Sequence, residues 1–243
     1  MVPRARRPGG RATPDPHLRI MPLRLRDDLH WCESAGRIVF LDVAADRYFC
    51  LPSGATRAFL ALAATGKAAP QEAARLTMLM DRGLLEEQGS LELFARPALV
   101  DPPSRDFLDY PAARSTAFAI LRALAWEHLA AWQLRRRPFC KVIALARRRG
   151  AGGREAAGDS GPAIASIAAA ADAIAFVTRS HNRCLVRGLA VHAACRARGI
   201  PAKLVLGVIG HPFAAHCWVQ LGDAVLVGGY EQARLYTPIL VVE

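Results

Sequence analysis

The chain has 243 residues, 52% of them apolar, and a formal net charge of +11; that is enough to bury a sizeable core in one or two domains and too apolar for a disordered tail. The charge is nearly all arginine, Lys67, Lys141 and Lys203 being the lysines, and no basic stripe interleaved with aromatics argues for a nucleic-acid partner, so that class is set aside. The six cysteines, at 32, 50, 140, 184, 195 and 217, form no CxxC pair and no disulfide framework, which points to a reducing, cytoplasmic compartment.

Residues 1–20 (MVPRARRPGGRATPDPHLRI) lack the apolar run of a signal peptide and read as a disordered extension. From residue 21 the chain turns regular. Short β-type runs at 29–33, 37–43 and 47–51 are separated by Gly36 and by the turn at 44–46. Two helices follow, 52–66 with Ser53 as cap and 70–85 ended by Gly83, and then a closing LELF strand. Three strands followed by helices make a winged-helix-like module over 21–94. Its second helix carries Gln71, Glu72, Arg75, Asp81 and Arg82, a mixed-sign face unsuited to reading a DNA groove. A sheet edge of this kind suits an extended peptide, bound by strand addition.

Residues 95–115 hold four prolines, among them the Pro102–Pro103 pair, and read as a linker. Beyond it, apolar positions at helical spacing predict a helix over 116–137, with Phe118, Trp126 and Trp132 expected in the core. A shorter basic helix follows at 138–149. The Gly-rich segment 148–162 lacks the GxxxxGK[ST] order of a phosphate cradle and reads as a surface loop. An alanine-rich helix spans 163–179. Arg122, Glu127, His128 and Asp172 interrupt the apolar stretches, so no stable membrane insertion is expected.

The most informative stretch is SHNRCLVRGLAVHAACRARGIPAKLVLG (180–207) followed by FAAHCWVQLGDAVLVGG (213–229). Ser180 or Asn182 can cap a helix whose first turn holds Cys184, and Gly199 with Pro201 stops it. Strands follow at 202–210, 214–221 and 224–227, the last two joined by a Gly222–Asp223 hairpin. A thiol at a helix N-terminus is biased toward thiolate, and a histidine beside it can take and return a proton. Alternation along 214–221 puts His216, Trp218 and Gln220 on one face and Cys217 on the other. If the His216 face lies against the helix, His216 reaches Cys184 and Cys217 points away. A core cysteine beside an incidental histidine is the alternative. A zinc site from His181, Cys184, His211 and Cys217 has irregular spacing and opposed directions, and no metal is expected.

Two resemblances sharpen this reading. The segment GRIVFLDVAADRYFCLPSGATRAFLALAATG resembles the PqqD-like peptide-recognition domain of enzymes that process ribosomally made peptides. The segments CLVRGLAVHAACRARGIPAKLVLGV, FAAHCWVQ and ARLYTPILVV resemble the leader peptidase of lasso-peptide biosynthesis, whose fold is transglutaminase-like and papain-related; this second likeness covers about 115–243. Together they imply an α+β chain, with a winged-helix-like PqqD-type domain at 21–94 and a peptidase domain at 116–243. They also imply a bacterial cytoplasmic cysteine peptidase that binds a precursor's leader and cuts it from the core peptide. The leader would add as a strand to the sheet, and Val39, Leu41, Val43, Tyr48, Phe49, Leu51 and Arg75 are its candidate contacts. Cys184 would be the nucleophile and His216 the general base and acid. The chemistry needs no bound cofactor; ATP enters through a partner, an asparagine-synthetase-like cyclase. The alternative is a non-catalytic adaptor that delivers precursor to that cyclase. One position departs from the family, in which an acid about twelve residues past the histidine orients it. Here Val227, Gly228 and Gly229 stand there. Asp223 and Glu231 are the nearest acids, and an amide or backbone carbonyl is the other way to hold the ring.

Overall fold

Alternating apolar residues in the first organised stretch build a sheet that is buried on both sides. The computed structural model describes residues 23–65, 70–87, 97–107, 115–148, 161–178 and 183–243. The N-terminal extension, the LELF segment, most of the Gly-rich loop, Ser180, His181 and Asn182 lie outside the described residues. Strands β1 (Leu23–Leu25) and β2 (Leu29–Ser34) lead into β3 (Arg37–Asp42) and β4 (Arg47–Cys50), and β2, β3 and β4 pair antiparallel in that order. Helices α1 (Ser53–Thr65) and α2 (Pro70–Asp81) follow, and β5 (Leu85–Glu87) returns to pair with β1.

The period of two decides which side chain goes where. Leu29, Trp31, Ile38 and Phe40 face α1 and α2, where Phe59, Leu62, Leu76 and Leu79 complete one core. Phe40 lies between Phe49 and Phe59, with ring centroids 5.0 and 5.1 Å away. The opposite face, Cys32, Val39, Leu41 and Val43, joins a second core that continues into the C-terminal half through Leu206, Val208, Ile239 and Leu240. Each such side chain contributes about 1.5–3 kcal/mol of transfer free energy, so the two halves are held by the same effect that holds each together. Ser34 fastens the seam: its hydroxyl accepts from the Gly210 N–H at 3.1 Å, and a Cβ on Gly210 would stand 2.3 Å from the Ser34 carbonyl oxygen.

Val39, Leu41 and Val43, expected to contact a peptide, are therefore buried against the C-terminal half, and Leu51 is buried against the helices. The sequence pattern identified an apolar strand face but not what covers it. Of the two edge strands of this sheet, β2 packs against β10 and β4 carries Tyr48 and Phe49.

In the C-terminal half, α3 (Ala117–Arg136), α4 (Phe139–Arg147), α5 (Gly161–Thr178) and α6 (Cys184–Arg196) precede most of a five-stranded sheet. Its strands are β6 (Arg105–Asp106), β7 (Lys203–Gly210), β8 (Phe213–Leu221), β9 (Ala224–Val227) and β10 (Thr237–Val242), in the order β10-β7-β8-β9-β6. A one-turn helix α7 (Tyr230–Ala233) lies between β9 and β10. The helices cover one face of the sheet; Val100, Tyr230 and Ala233 pack against Val205, Trp218 and Val225 on the other. The segment read as a linker thus contributes a strand parallel to β9, and its Ser104 N–H donates to the Asp223 carbonyl at 2.9 Å.

Helix α3 departs from expectation on its exposed side. Thr116 caps it by accepting from the Ala119 N–H at 3.2 Å. Its buried face is Ala119, Ala130 and Ala131, small residues that let α5 and α6 approach, together with Glu127. Phe118 and Trp132, expected in the core, are 72% and 49% exposed, each with an arginine over its ring, Arg122 and Arg137 respectively. Trp126 alone of the three packs against the core. Among the described residues no helix is long and apolar enough to cross a membrane.

Candidate active site

Helix α6 begins at the cysteine. Arg183 before it is outside helical geometry (φ −113°, ψ 19°) and makes no side-chain cap, and the Leu185 N–H of the first turn is turned to the Cys184 sulfur. At the far end the Ile200 N–H bonds to the Cys195 carbonyl at 3.0 Å, and Gly199 takes φ +71°, a left-handed stop before Pro201. Gly188 lets the helix lie flush on the sheet: a Cβ there would be 2.8 Å from Cys217 Sγ and 3.0 Å from Leu204 Cδ1.

That contact decides which face of β8 meets the helix. Cys217 points toward α6, and the His216 face of β8 is the one turned away from it. His216, Trp218 and Tyr236 form a ring ladder there, His216 being 5.2 Å from Tyr236 and 6.1 Å from Trp218. Trp218 Nε1 donates to Gln220 Oε1 at 2.7 Å, and Gln220 Nε2 donates to the Asp101 and Gly222 carbonyls. His216 nevertheless bonds to the Cys184 side chain. The two meet beside the strand's edge: β9 pairs with β8 only from Val219 onward, and the Cys217 backbone N–H is turned to the Cys184 sulfur.

What orients His216 is a glycine. Its Nε2 lies 2.8 Å from the Gly228 carbonyl oxygen. A carbonyl oxygen only accepts, so Nε2 carries the hydrogen, and Nδ1 is left with its lone pair for the thiol, the tautomer a general base requires. Gly228 has φ +112°, and a Cβ on it would stand 2.5 Å from Trp218 Cβ and 3.0 Å from Trp218 Cα. The chain passes so close over Trp218 that a side chain is excluded, and this path lays the carbonyl on the imidazole. Asp223 and Glu231 do not fill the role. Asp223, at the hairpin tip, bonds to the Ser104 hydroxyl and pairs with Arg105 at 3.3 Å. Glu231 pairs with Arg234 at 3.0 Å.

The electrostatics follow from this geometry. The hydrogen bond to His216 lowers the Cys184 thiol below its ordinary value; burial opposes it, and the charge of His216 and the N–H groups of Cys217 and Leu185 add to the lowering. For His216, burial works to lower the imidazole, but its bonds to Cys184 and to the Gly228 carbonyl outweigh it and raise it. Both shifts favour a thiolate–imidazolium pair.

A buried acid supports the first turn of α6. Glu127 of α3 is 3% exposed and pairs with Arg187 at 3.4 Å and Arg183 at 3.8 Å, which flank Cys184. Sequence reading recorded Glu127 only as an interruption of an apolar helix. A charge placed among core-facing alanines was the signal that it has a partner. Of the other candidates, Tyr48 packs on Phe213 with centroids 5.4 Å apart and is electrostatically coupled to Cys184 and Cys217. Phe49 stacks on Phe40, and Arg75 on α2 donates to the Gly54 carbonyl at 3.4 Å. Arg37, Tyr48, Cys50, His211 and Phe213 line a 190 Å³ cleft where β4 meets β8. Among the described residues no group of three or more His, Cys, Asp or Glu is arranged to hold a metal.

Residues 123–241 match the family model of the transglutaminase-like superfamily. A transglutaminase-like domain therefore occupies the C-terminal region of a mixed α+β chain, and α6, the Cys184–His216 pair and Gly228 all lie inside the matched span. Neither the curated proteins nor the solved structures contain a match to this chain.

Proposed function

We propose, from a transglutaminase-like domain that brings a cysteine and a histidine into hydrogen bond, that this chain is the leader peptidase of a lasso-peptide pathway. The observation that carries the reading is His216 bonded to Cys184 on one side and to the Gly228 carbonyl on the other. Thiolate Sγ of Cys184 attacks the scissile carbonyl carbon, and the carbonyl electron pair moves onto oxygen. The Cys184 N–H at the helix start is a donor for that oxyanion. Collapse breaks the C–N bond; His216 gives its Nδ1 proton to the departing amine, which is the new N-terminus of the core peptide. The leader remains as a thioester until His216 takes a proton from water, which attacks and releases it as the free acid. A separate ATP-using cyclase then joins the core N-terminus to a side-chain carboxylate.

The likeness of 21–94 to PqqD-type domains supports a leader that adds to the edge of β4. That edge is the one beside Tyr48 and the 190 Å³ cleft, so a strand laid along it leads toward Cys184. The test is cleavage of a cognate precursor, whose gene is sought beside this one. Wild type is expected to release the leader, and Cys184→Ala to bind it unchanged while losing cleavage by about 10⁴-fold or more. Cleavage by Cys184→Ala at the wild-type rate would defeat the mechanism. Tight binding without cleavage by wild type would make the chain an adaptor. A leader that protects none of residues 47–50 from hydrogen exchange would defeat strand addition at β4.

A further inference from the structure

A second cleft, with no part in the Cys184 chemistry, opens between α3, α4 and α6. Its volume is 310 Å³, and its walls include Trp126, Leu129, Val142 and Leu189. Polar groups are few: Gln133, His192, Arg148 and Arg196, with no acid among the lining residues. His192 is 1% exposed, and its Nε2 has no hydrogen-bond partner. A buried polar atom left unpaired costs about 1–3 kcal/mol, and this one is closed off from the cleft, so the polar character that faces the space comes from the two arginines. Arg196 spends one guanidinium nitrogen on the Leu145 and Ala146 carbonyls, at 3.1 and 2.8 Å, which fixes the charge at the cleft.

We propose that this cleft binds a small hydrophobic carboxylate, its apolar body against Trp126 and Leu189 and its carboxylate toward Arg148 and Arg196. Two features select that class. Apolar walls require an apolar body, and two arginines without an acid among the lining residues require an anion. The site sits on the same helix as Cys184, two turns further along, and stands independently of the peptidase reading.

The test uses the full chain with octanoate as probe and 1-octanol as its uncharged counterpart. Octanoate is expected to change Trp126 emission and the His192 ring resonances, and to bind at least tenfold more tightly than octanol. Arg148→Gln removes an exposed charge without touching the core, and is expected to weaken octanoate at least fivefold and leave octanol unchanged. Ala193→Phe fills the cleft from its rim and is expected to abolish both. The proposal is overturned if octanoate leaves Trp126 and His192 unmoved, if octanol binds as tightly as octanoate, or if both variants bind octanoate like wild type.

Discussion

Helix α6 carries a cysteine near each end, Cys184 beside His216 of β8 and Cys195 beside its own His192, and the two ends hold these pairs in opposite states. At the N-terminal end Cys184 is half-buried, hydrogen-bonded and shifted toward thiolate, while its partner His216 is shifted toward imidazolium. Deeper in the same helix, burial pushes the Cys195 thiol up to about 12 and, with the charge of Arg196 adding to it, the His192 imidazole down to about 4. Cys217, across from Gly188, is likewise driven well above the ordinary thiol range, by burial and by the neighbouring Cys184. Residue type is the same at both ends. What differs is whether a charged form has a partner: Cys184 meets the N–H groups of Leu185 and Cys217 and a histidine, whereas Cys195 is surrounded by packed carbon.

The comparison breaks most sharply at His216. Its hydrogen bond is the largest influence lowering the Cys184 thiol, so the thiolate is present well below the ordinary thiol value only while His216 is there. Iodoacetamide is expected to label Cys184 in the native protein ahead of the five other cysteines. In His216→Ala, the pH profile of that labelling should move to higher pH, and cleavage should fall at least ~10³-fold. Labelling that starts at the same pH in both proteins would mean that the helix terminus alone activates the thiol.

Gly228 is the next break. Gly228→Ala places a Cβ against the Trp218 backbone at a φ that side chains avoid, so the carbonyl must leave His216. Cleavage is expected to drop about 10²-fold, as a misplaced catalytic group does, with Cys184 labelling shifted toward higher pH. This position also shows what was legible in the sequence. The spacing from Cys184 to His216 and the helix stop at Gly199 and Pro201 were readable, because each is a local signal. A backbone carbonyl has no letter of its own, so the orienting group was open among Asp223, Glu231 and the chain itself. Which face of β8 meets α6 was open, because alternation separates two faces without saying which one a helix covers. Phe118 and Trp132 failed similarly: helical spacing marks a stripe, but the alanines opposite are what pack. The mixed α+β class was legible in the order of elements, and the transglutaminase-like domain in the resemblance carried by the segments around Cys184 and His216. The burial of Val39, Leu41 and Val43 beneath the other half was not, since the second core is built from segments far apart in sequence.

The inner end is sharpened by acid. His192 titrates at about 4 in the fold against 6.5 unfolded, and His30, lowered by burial and by Arg147 and in part restored by Asp28, does the same. Between those values the unfolded chain binds the extra proton, so stability is full above about pH 6.5 and falls as pH drops toward 4. Each histidine accounts for about 3 kcal/mol of that loss. Urea titrations from pH 7 to 4 are expected to show it, and His192→Leu to show roughly half the slope. An unchanged slope in His192→Leu would mean that His192 is already protonated in the fold.

The smallest effect tests the contact that seats the helix between its two ends. Gly188→Ala adds a methyl 2.8 Å from Cys217 Sγ and 3.0 Å from Leu204 Cδ1. Alanine favours a helix interior by about 1 kcal/mol over glycine, while overpacking a core costs about 1–3 kcal/mol, so the single variant is expected to lose a net ~1 kcal/mol. Cys217→Ala removes a buried sulfur and is expected to cost about 1 kcal/mol by itself. In the double variant the new methyl occupies the space the sulfur left. The overpacking disappears, the helix gain remains, and stability should exceed the sum of the singles by about 1–2 kcal/mol. Additive values would place the clash at Leu204 instead, and Leu204→Val in the Gly188→Ala background would then recover the loss. Because Cys217 also gives its N–H to Cys184, the same cycle read by iodoacetamide labelling asks whether the interior seat sets the thiol at the helix start. Rescue of stability should bring with it the wild-type labelling profile.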